Sequence, residues 1–320
     1  MKYRKLGNTG IIVSEIGYGT WGLGGDSYGP ADDIVSKNAL LYAYKQGITF
    51  FDTSDTYGDG HSEELIGKTL KHVRNKIIIA TKVGCLPHTG REMPQDFSTD
   101  HIKKCIKGSL KRLQTNYIDL YQLHSPPIEA LKNNELLNTL KKLKKNGLIR
   151  AIGISARSPN DALIAIQKYD FDCVQVNFNL IDLRAYKNGF LNLAEKKNIG
   201  VIARTPFCFG FLTGKISDKT SFSTNDHRSN WSNEQIKRWS NAPYLFESLY
   251  IQKKISPSQL ALKFCLTFKN ISTVIPGMMN SKEVKENIKS SDIDNLSDNE
   301  LSFIEKIYKT HNFFDVSLKK

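Results

Sequence analysis

Along this chain, short runs of apolar residues alternate with longer stretches in which apolar residues return every three or four positions. The short runs read as strands buried on both faces, and the longer stretches as amphipathic helices. Strand runs fall at 16–20, 48–52, 77–82, 117–123, 148–154, 173–177, 200–204 and 272–276. Helical stretches lie between them at 32–46, 62–72, 98–113, 134–146, 159–168, 188–197 and 256–268. An eighth fits 280–289, and 297–311 reads as a final amphipathic helix. Two helix starts carry their own chemistry. Ser98-Thr99 precedes a periodic run with Ile102, Ile106 and Leu110, and Ser256-Pro257 sets a cap residue before a first-turn proline. Ahead of the first strand, residues 3–14 read as a hairpin around Gly7-Asn8-Thr9-Gly10.

Strands and helices alternating this regularly predict an α/β fold with a parallel sheet and right-handed crossovers. The competing architectures are a closed TIM-type (β/α)8 barrel and an open doubly wound sheet. Eight evenly spaced units without a linker rich in Pro, Gly or Ser favour the barrel, with the hairpin ahead of it and an extra helix after it. Residues 205–255 are too long for a simple loop. They are expected to cover the mouth and carry a helix, with Trp231 and Trp239 packing locally.

Composition narrows the picture. The chain has 320 residues, 40% of them hydrophobic, enough for a sizeable core. No continuous apolar stretch is long enough to cross a bilayer, and the N-terminus lacks the pattern of a secretory leader. A cytoplasmic protein with no membrane partner is the expectation. Cys85, Cys105, Cys173, Cys208 and Cys265 are isolated and odd in number, which argues for reduced thiols and against a zinc or other metal site. The net charge of +13 is that of a lysine-rich solvated surface, as where Lys141, Lys142, Lys144 and Lys145 flank Leu140, Leu143 and Leu148. Such a field also attracts anionic ligands. No nucleic-acid-binding motif accompanies it, and no nucleic-acid partner is expected.

Candidate chemistry gathers where the strands end, because a barrel of this kind builds its site at the C-terminal ends of its strands. The second strand ends in Asp52, the third in Lys82 and the fourth in His124, and the loop after the second carries Tyr57. A phenol is a poor acid or base near neutrality, and a neighbouring ammonium lowers its pKa. Asp52 would keep Lys82 charged, His124 would polarise a carbonyl oxygen, and Tyr57 would give that oxygen a proton as hydride reaches carbon. Singly, each residue has a plainer reading. A histidine after a strand is usually structural, and an aspartate there usually caps a helix, with Ser54 and Asp55 as rival caps in the same loop. The four together are harder to set aside.

Two motifs read as decoys. Gly17-Tyr18-Gly19-Thr20-Trp21-Gly22 matches a dinucleotide fingerprint, but glycines continue through Gly24, Gly25 and Gly29, so the required helix starts too late. Tyr250 and Lys254 have the spacing of a short-chain dehydrogenase pair without its fold.

At these residues the chain resembles the aldo-keto reductase family. LGNTGIIVSEIGYGTWGLGG resembles the family's opening hairpin and first strand; FFDTSDTYGDGHSEELIGKTL, IIIATKVG and YIDLYQLHSPP resemble its catalytic segments. VQVNFNLID, VIARTPFCFGFLTGK and ISTVIPGMMNSKEVKENI resemble its later strand segments, so the likeness spans nearly the whole chain. It implies a single barrel domain over 1–320, Tyr57 as the general acid/base with Asp52, Lys82 and His124, and an extended dinucleotide across the mouth. By family position Gly19, Thr20, Trp21 and Asp52 would lie near the nicotinamide, Ser155 and Gln175 would bond its carboxamide, and Arg204 would stack on its ring, with Pro206 beside it. Trp21 is also a candidate substrate wall. Glu286 and Asn287 match an adenine-contacting pair.

The chain departs from the family pattern in places. Ser155 is followed by Ala156 rather than Asn, and the places where NADP-preferring members carry basic residues hold Gly277, Met278, Met279 and Glu283. Lys282 or Lys285, with the helix start near Asn280-Ser281, would have to hold a 2′-phosphate. NADP(H) is the expected cofactor on the family's habit, with NAD(H) as the alternative. The expected reaction is reduction of an aldehyde or ketone, with a sugar or nucleotide-sugar carbonyl as the guessed substrate. The alternative is a cofactor-sensing subunit like the family's potassium-channel β-subunits. Specificity would come from loops 22–31, 84–97, 125–133 and 205–255, with His88 and Arg91 as candidate contacts for a polar or anionic substrate. Oligomeric state cannot be read from the sequence.

Overall fold

The structure is a computed structural model that describes residues 1–87 and 93–314. His88 and Arg91 lie outside the described residues. An antiparallel pair, β1 (Tyr3–Lys5) and β2 (Ile12–Ser14), opens the chain. The units that follow are β3 (Tyr18–Gly19), α1 (Asp33–Lys45), β4 (Phe50–Asp52), α2 (His61–Leu70), β5 (Ile78–Val83), α3 (Thr99–Arg112), β6 (Ile118–His124), α4 (Asn134–Lys145), β7 (Ile149–Ser155), α5 (Pro159–Lys168) and β8 (Cys173–Asn177). Then come α6 (Arg184–Lys187), α7 (Phe190–Lys196), β9 (Gly200–Arg204), α8 (Asn233–Asn241), α9 (Glu247–Gln252), α10 (Pro257–Thr267), β10 (Ile271–Val274), α11 (Ser281–Ile288) and α12 (Asp298–Thr310).

Strands β3 to β10 pair in parallel, in chain order, as one 8-stranded sheet. Its two edges meet. Ile16 bridges Val274 and Gly19 bridges Gly277, with Gly17 N donating to Val274 O at 2.8 Å and Gly19 N to Pro276 O at 2.9 Å. The sheet therefore closes into the expected (β/α)8 barrel. Most predicted helices stand within a residue or two of their observed ends. The stretch 188–197 holds α7, and the short α6 ahead of it and α9 were not anticipated. The predicted caps hold: Ser98 accepts from His101 N, and Ser256 with Gln259 forms a capping box ahead of Pro257.

Side chains on a strand alternate between faces, so every strand sorts its residues into barrel interior and helix-facing shell. Phe50, Ala80, Leu120, Ala151, Cys173 and Ile202 face inward and form one buried cluster. Phe51, Ile79, Tyr121, Ile152, Val174 and Ala203 face outward into the larger cluster under the helices. The hairpin completes the inner cluster with Leu6, Ile11 and Val13. It plugs the floor of the barrel. Arg4 ties it there, donating to Leu266 O, Ile271 O and Phe268 O at 2.7, 2.9 and 3.2 Å and pairing with buried Glu15 at 2.8 Å. With the floor closed, the polar inward residues collect at the opposite end.

Candidate active site

One more step of the same alternation above the apolar floor brings Asp52, Lys82, Gln122, Gln175 and Arg204 inward, with His124 and Ser155 above them. Fully buried Lys82 spends its ammonium on three acceptors. Its Nζ donates to Asp52 Oδ1 at 2.6 Å, Thr53 O at 2.8 Å and Tyr57 OH at 3.0 Å. The other Asp52 oxygen accepts from Gln175 Nε2 at 2.7 Å and Gln122 Nε2 at 3.3 Å, and Ser155 Oγ donates to Gln175 Oε1 at 3.3 Å. A continuous chain therefore runs from Ser155 through Gln175, Asp52 and Lys82 to the Tyr57 hydroxyl. Gln122 was missed in the sequence; the available signal was a polar residue at an inward position of β6, between Leu120 and His124.

Burial raises the Tyr57 pKa, and the opposing pull of Lys82 is not enough to reverse it. Lys82 pulls the phenol's pKa down as expected, but the net shift is upward, because loss of solvent disfavours phenolate more than one ammonium favours it. Tyr57 holds its proton. Burial also works against the Lys82 charge, but Asp52 and Tyr57 outweigh it and the ammonium's pKa is raised.

The His124 ring stands edge-on to Tyr57 with centroids 6.0 Å apart, and its Nδ1 lies 3.2 Å from Ser54 Oγ. Neither Ser54 nor Asp55 caps a helix, since α2 begins after Gly60 without a side-chain cap. Ser54 Oγ instead donates to Asp55 Oδ1 at 3.1 Å. Burial, then Glu63, raises the Asp55 carboxyl to about 7.

Above this group opens a cavity of about 460 Å³. Gly19, Thr20, Trp21, Asp52, Tyr57, His124, Ser155, Gln175, Arg204, Pro206, Gly277, Glu286 and Asn287 all line it. Lys282 does not; its side chain is exposed on α11. Tyr28, Phe209, Lys215, Arg228, Ser258 and Glu283 line the cavity as well. Most of these come from long loops whose paths no periodicity reveals. Trp21 packs edge-on to Tyr28 at 5.2 Å and stacks on His227 at 4.7 Å, giving one aromatic wall. Burial brings the His227 pKa down to about 4, so this ring packs as a neutral group. Trp231 and Trp239 meet edge-on at 4.8 Å behind Phe209, the local packing expected of them.

Two loops at the rim approach too closely for side chains. A Cβ on Gly58, at φ +60°, would stand 2.3 Å from Gly24 O, so the loops carrying Trp21 and Tyr57 are joined backbone to backbone. After β9, Thr205, Cys208 and Phe209 hold positive φ of 53°, 45° and 58°. For such side chains each costs roughly 1–3 kcal/mol and marks a segment shaped for a site. Thr205 is held by Asn177 Oδ1 at 3.0 Å and by Asn179 Nδ2 at 2.9 Å.

Two orphaned donors bear on whether a dinucleotide fits. Arg204 Nε and Asn287 Nδ2 are both buried without a hydrogen-bond partner, and both residues line the cavity, one near Asp52 and Tyr57 and one on α11. Buried donors left unpaired are uncommon and call for an acceptor. Next to Asn287, the start of α11 already carries an anion. Glu283 accepts from Met279 N at 2.8 Å and Asn280 Nδ2 at 3.2 Å, while Asn280 caps the helix. Lys215 Nζ lies 3.4 Å from Glu286.

The decoys behave as such. The glycine run leads into a 3-10 turn, Trp21–Gly24, and the next helix waits until Asp33. Tyr250 lies on α9, and neither it nor Lys254 lines the cavity. Among the described residues, no helix is long and apolar enough to cross a membrane.

Comparison with known proteins gives a consistent result. The family profile described as the aldo/keto reductase family matches residues 15–309. An aldo-keto reductase, yakc [NADP(+)], of Schizosaccharomyces pombe is 33% identical over 89% of this chain and 85% of its own. An NADH-specific methylglyoxal reductase of Escherichia coli (strain K12) is 29% identical over 93% and 95%. The structure of a glycerol dehydrogenase from Gluconobacter oxydans superposes with a TM-score of 0.82 at 29% identity, covering 99% of this chain and 98% of that one.

Proposed function

This chain belongs to the aldo-keto reductase family, and from that premise we propose that it reduces the aldehyde or ketone of a small, oxygen-rich, sugar-like molecule, with Tyr57 delivering the proton. The observation that carries this reading is the Tyr57 hydroxyl at 3.0 Å from Lys82 Nζ, at the wall of a cavity large enough for a small ligand. A nicotinamide dinucleotide, when bound, supplies the hydride. Tyr57 keeps its phenolic proton until negative charge develops on the substrate oxygen. Lys82, held charged by Asp52, then stabilises the phenolate left behind. His124 meets the same oxygen from the other side of the cluster.

A sugar-like substrate is supported by the wall itself. Trp21, Tyr28 and Phe209 offer flat apolar faces for C–H groups, and His124 and Arg228, the latter paired with Asp226, line the same cavity as polar groups. The methylglyoxal reductase and glycerol dehydrogenase among the relatives are named for small oxygenated molecules. The two named cofactor preferences among the relatives differ, so the local chemistry of α11 carries more weight than family habit. Glu283 puts a carboxylate on the helix start that a 2′-phosphate would need, which favours NAD(H) over the NADP(H) expected from the resemblance. Arg204 would lie against the nicotinamide end and Asn287 against the adenine end, each offering its unpaired donor.

Tyr57→Phe tests the assignment. It should lower kcat for carbonyl reduction by on the order of 100-fold or more while leaving dinucleotide affinity within about twofold, because the hydroxyl acts in the transition state. Undiminished turnover in that variant removes Tyr57 from the reaction and sends the chain toward the cofactor-sensing alternative.

A further inference from the structure

We propose that Ser54 and Asp55 are positioning residues that set which nitrogen of His124 carries its proton, and thereby whether the site favours reduction or oxidation. The inference rests on His124 meeting the substrate oxygen, as argued above. Its geometry is a three-member relay. His124 Nδ1 lies 3.2 Å from Ser54 Oγ, and Ser54 Oγ lies 3.1 Å from Asp55 Oδ1. Thr56 N donates to the same hydroxyl oxygen at 3.3 Å, and Thr56 Oγ1 lies 3.1 Å from it and turns either way. Ser54 has one proton and two lone pairs, one of them taken by Thr56 N. With Thr56 Oγ1 turned away, a Ser54 that gives its proton to one neighbour has one lone pair left to receive from the other.

The proton count follows from that constraint. With Asp55 protonated, its O–H donates to Ser54 Oγ, the Ser54 proton goes to His124 Nδ1, and the ring proton sits on Nε2. Nε2–H is then a donor to a carbonyl oxygen. With Asp55 ionised, Ser54 donates to the carboxylate and His124 Nδ1–H donates to Ser54. Nε2 then presents a lone pair, which repels a carbonyl oxygen but accepts from an alcohol. One proton is lost between the two states, and the imidazole stays neutral in both.

Asp55 is placed to titrate in the useful range. From α2 it faces Glu63, which is itself paired with Arg112 of α3 at 2.7 Å; from α3 it also faces Cys105, and from β6 Tyr121. Cys85, from the loop after β5, lies within its field. Burial and Glu63 hold the Asp55 proton up to about 7 against the pull of Arg112. On the other side, the charged Lys82 donates to Tyr57, whose ring stands edge-on to His124. His124 is fixed through its carbonyl, which accepts from Gln95 Nε2 at 3.1 Å.

The test is ring-nitrogen NMR of histidine-labelled protein, with the His124 signals assigned by their loss in His124→Gln. In the wild type the proton should move from Nε2 to Nδ1 between mildly acid and mildly alkaline pH. In Ser54→Ala and Asp55→Asn that movement should vanish while dinucleotide titration shows both variants folded. Reductive kcat of the wild type should fall over the same range by on the order of 100-fold, the scale of one lost oxyanion donor, and that fall should flatten in Asp55→Asn. A tautomer constant with pH in the wild type, an imidazolium in place of the Nε2–H form, or a switch that survives Ser54→Ala each overturns the relay. Full activity in His124→Gln overturns the role given to His124 itself, a separate failure.

Discussion

At the scale of single residues, the site runs on unfavourable burial. Asp55 has its pKa raised to about 7 from 3.8 by burial first and by Glu63 second. The folded state therefore binds a proton that the unfolded chain gives up, so Asp55 does no harm in acid and weakens folding as pH rises through 7. Asp55→Asn should raise stability by roughly 1–2 kcal/mol above pH 7, a figure reduced because the side chain keeps some contact with solvent. The gain should disappear as pH falls towards 3.8, which paired thermal melts of variant and wild type would read. Asp52, Tyr57, Lys82 and His124 were legible as a group in the sequence because strand alternation fixes which residues share a rim. Their protonation was not legible. The sequence shows that Lys82 is near Tyr57, but only depth of burial says that desolvation outweighs it. Ser54 and Asp55 looked like helix caps because cap residues and relay residues are the same residue types.

Elements carried most of the legible information, and loops the least. The eight strands and their helices announce themselves by period, and the caps at Ser98 and Ser256 stand where the chemistry requires them. The cavity wall is another matter. Tyr28, Phe209 and Arg228 reach the site along backbone paths set by positive φ and glycine contacts, which leave no periodic trace. At α11 the sequence suggested Lys282 or Lys285 for a phosphate, yet the helix start is satisfied by its own Glu283. That arrangement predicts a cofactor preference. NADH should bind on the order of tenfold or more tightly than NADPH, since like charges brought together at an interface cost several kcal/mol. Glu283→Ala should narrow the gap mainly by improving NADPH. Fluorescence titration of both cofactors against both proteins would measure it, and a wild-type preference for NADPH would remove Glu283 from that role.

The whole molecule depends on a closure made far apart in sequence. Glu15 is buried and answered by Arg4 at 2.8 Å and by Ser291 Oγ at 2.8 Å. Arg4→Ala would leave that carboxylate bonded by the Ser291 hydroxyl, with Lys263 as a more distant countercharge, and would take a donor from three carbonyls of the barrel floor. A loss of about 3–5 kcal/mol is expected, the usual cost of stranding a buried charge. Denaturant unfolding would show it. Dinucleotide affinity in the folded fraction should barely change, because the plug and the mouth lie at opposite ends of the barrel.

The plug also has a consequence in time. Residues 1–14 leave the ribosome before any barrel strand exists, yet several of their partners lie about 200 to 290 positions later. Leu6 packs against Gly200, Arg4 reaches Leu266 and Ile271, and Lys2 N donates to Ser291 Oγ across 289 positions. Contacts this distant are entropically costly and form slowly. During synthesis the hairpin's apolar residues must wait, exposed, for those later segments. The hairpin, made before the barrel strands, is thus seated after them, and the barrel floor is sealed only once the segment from Leu266 to Ser291 has been made.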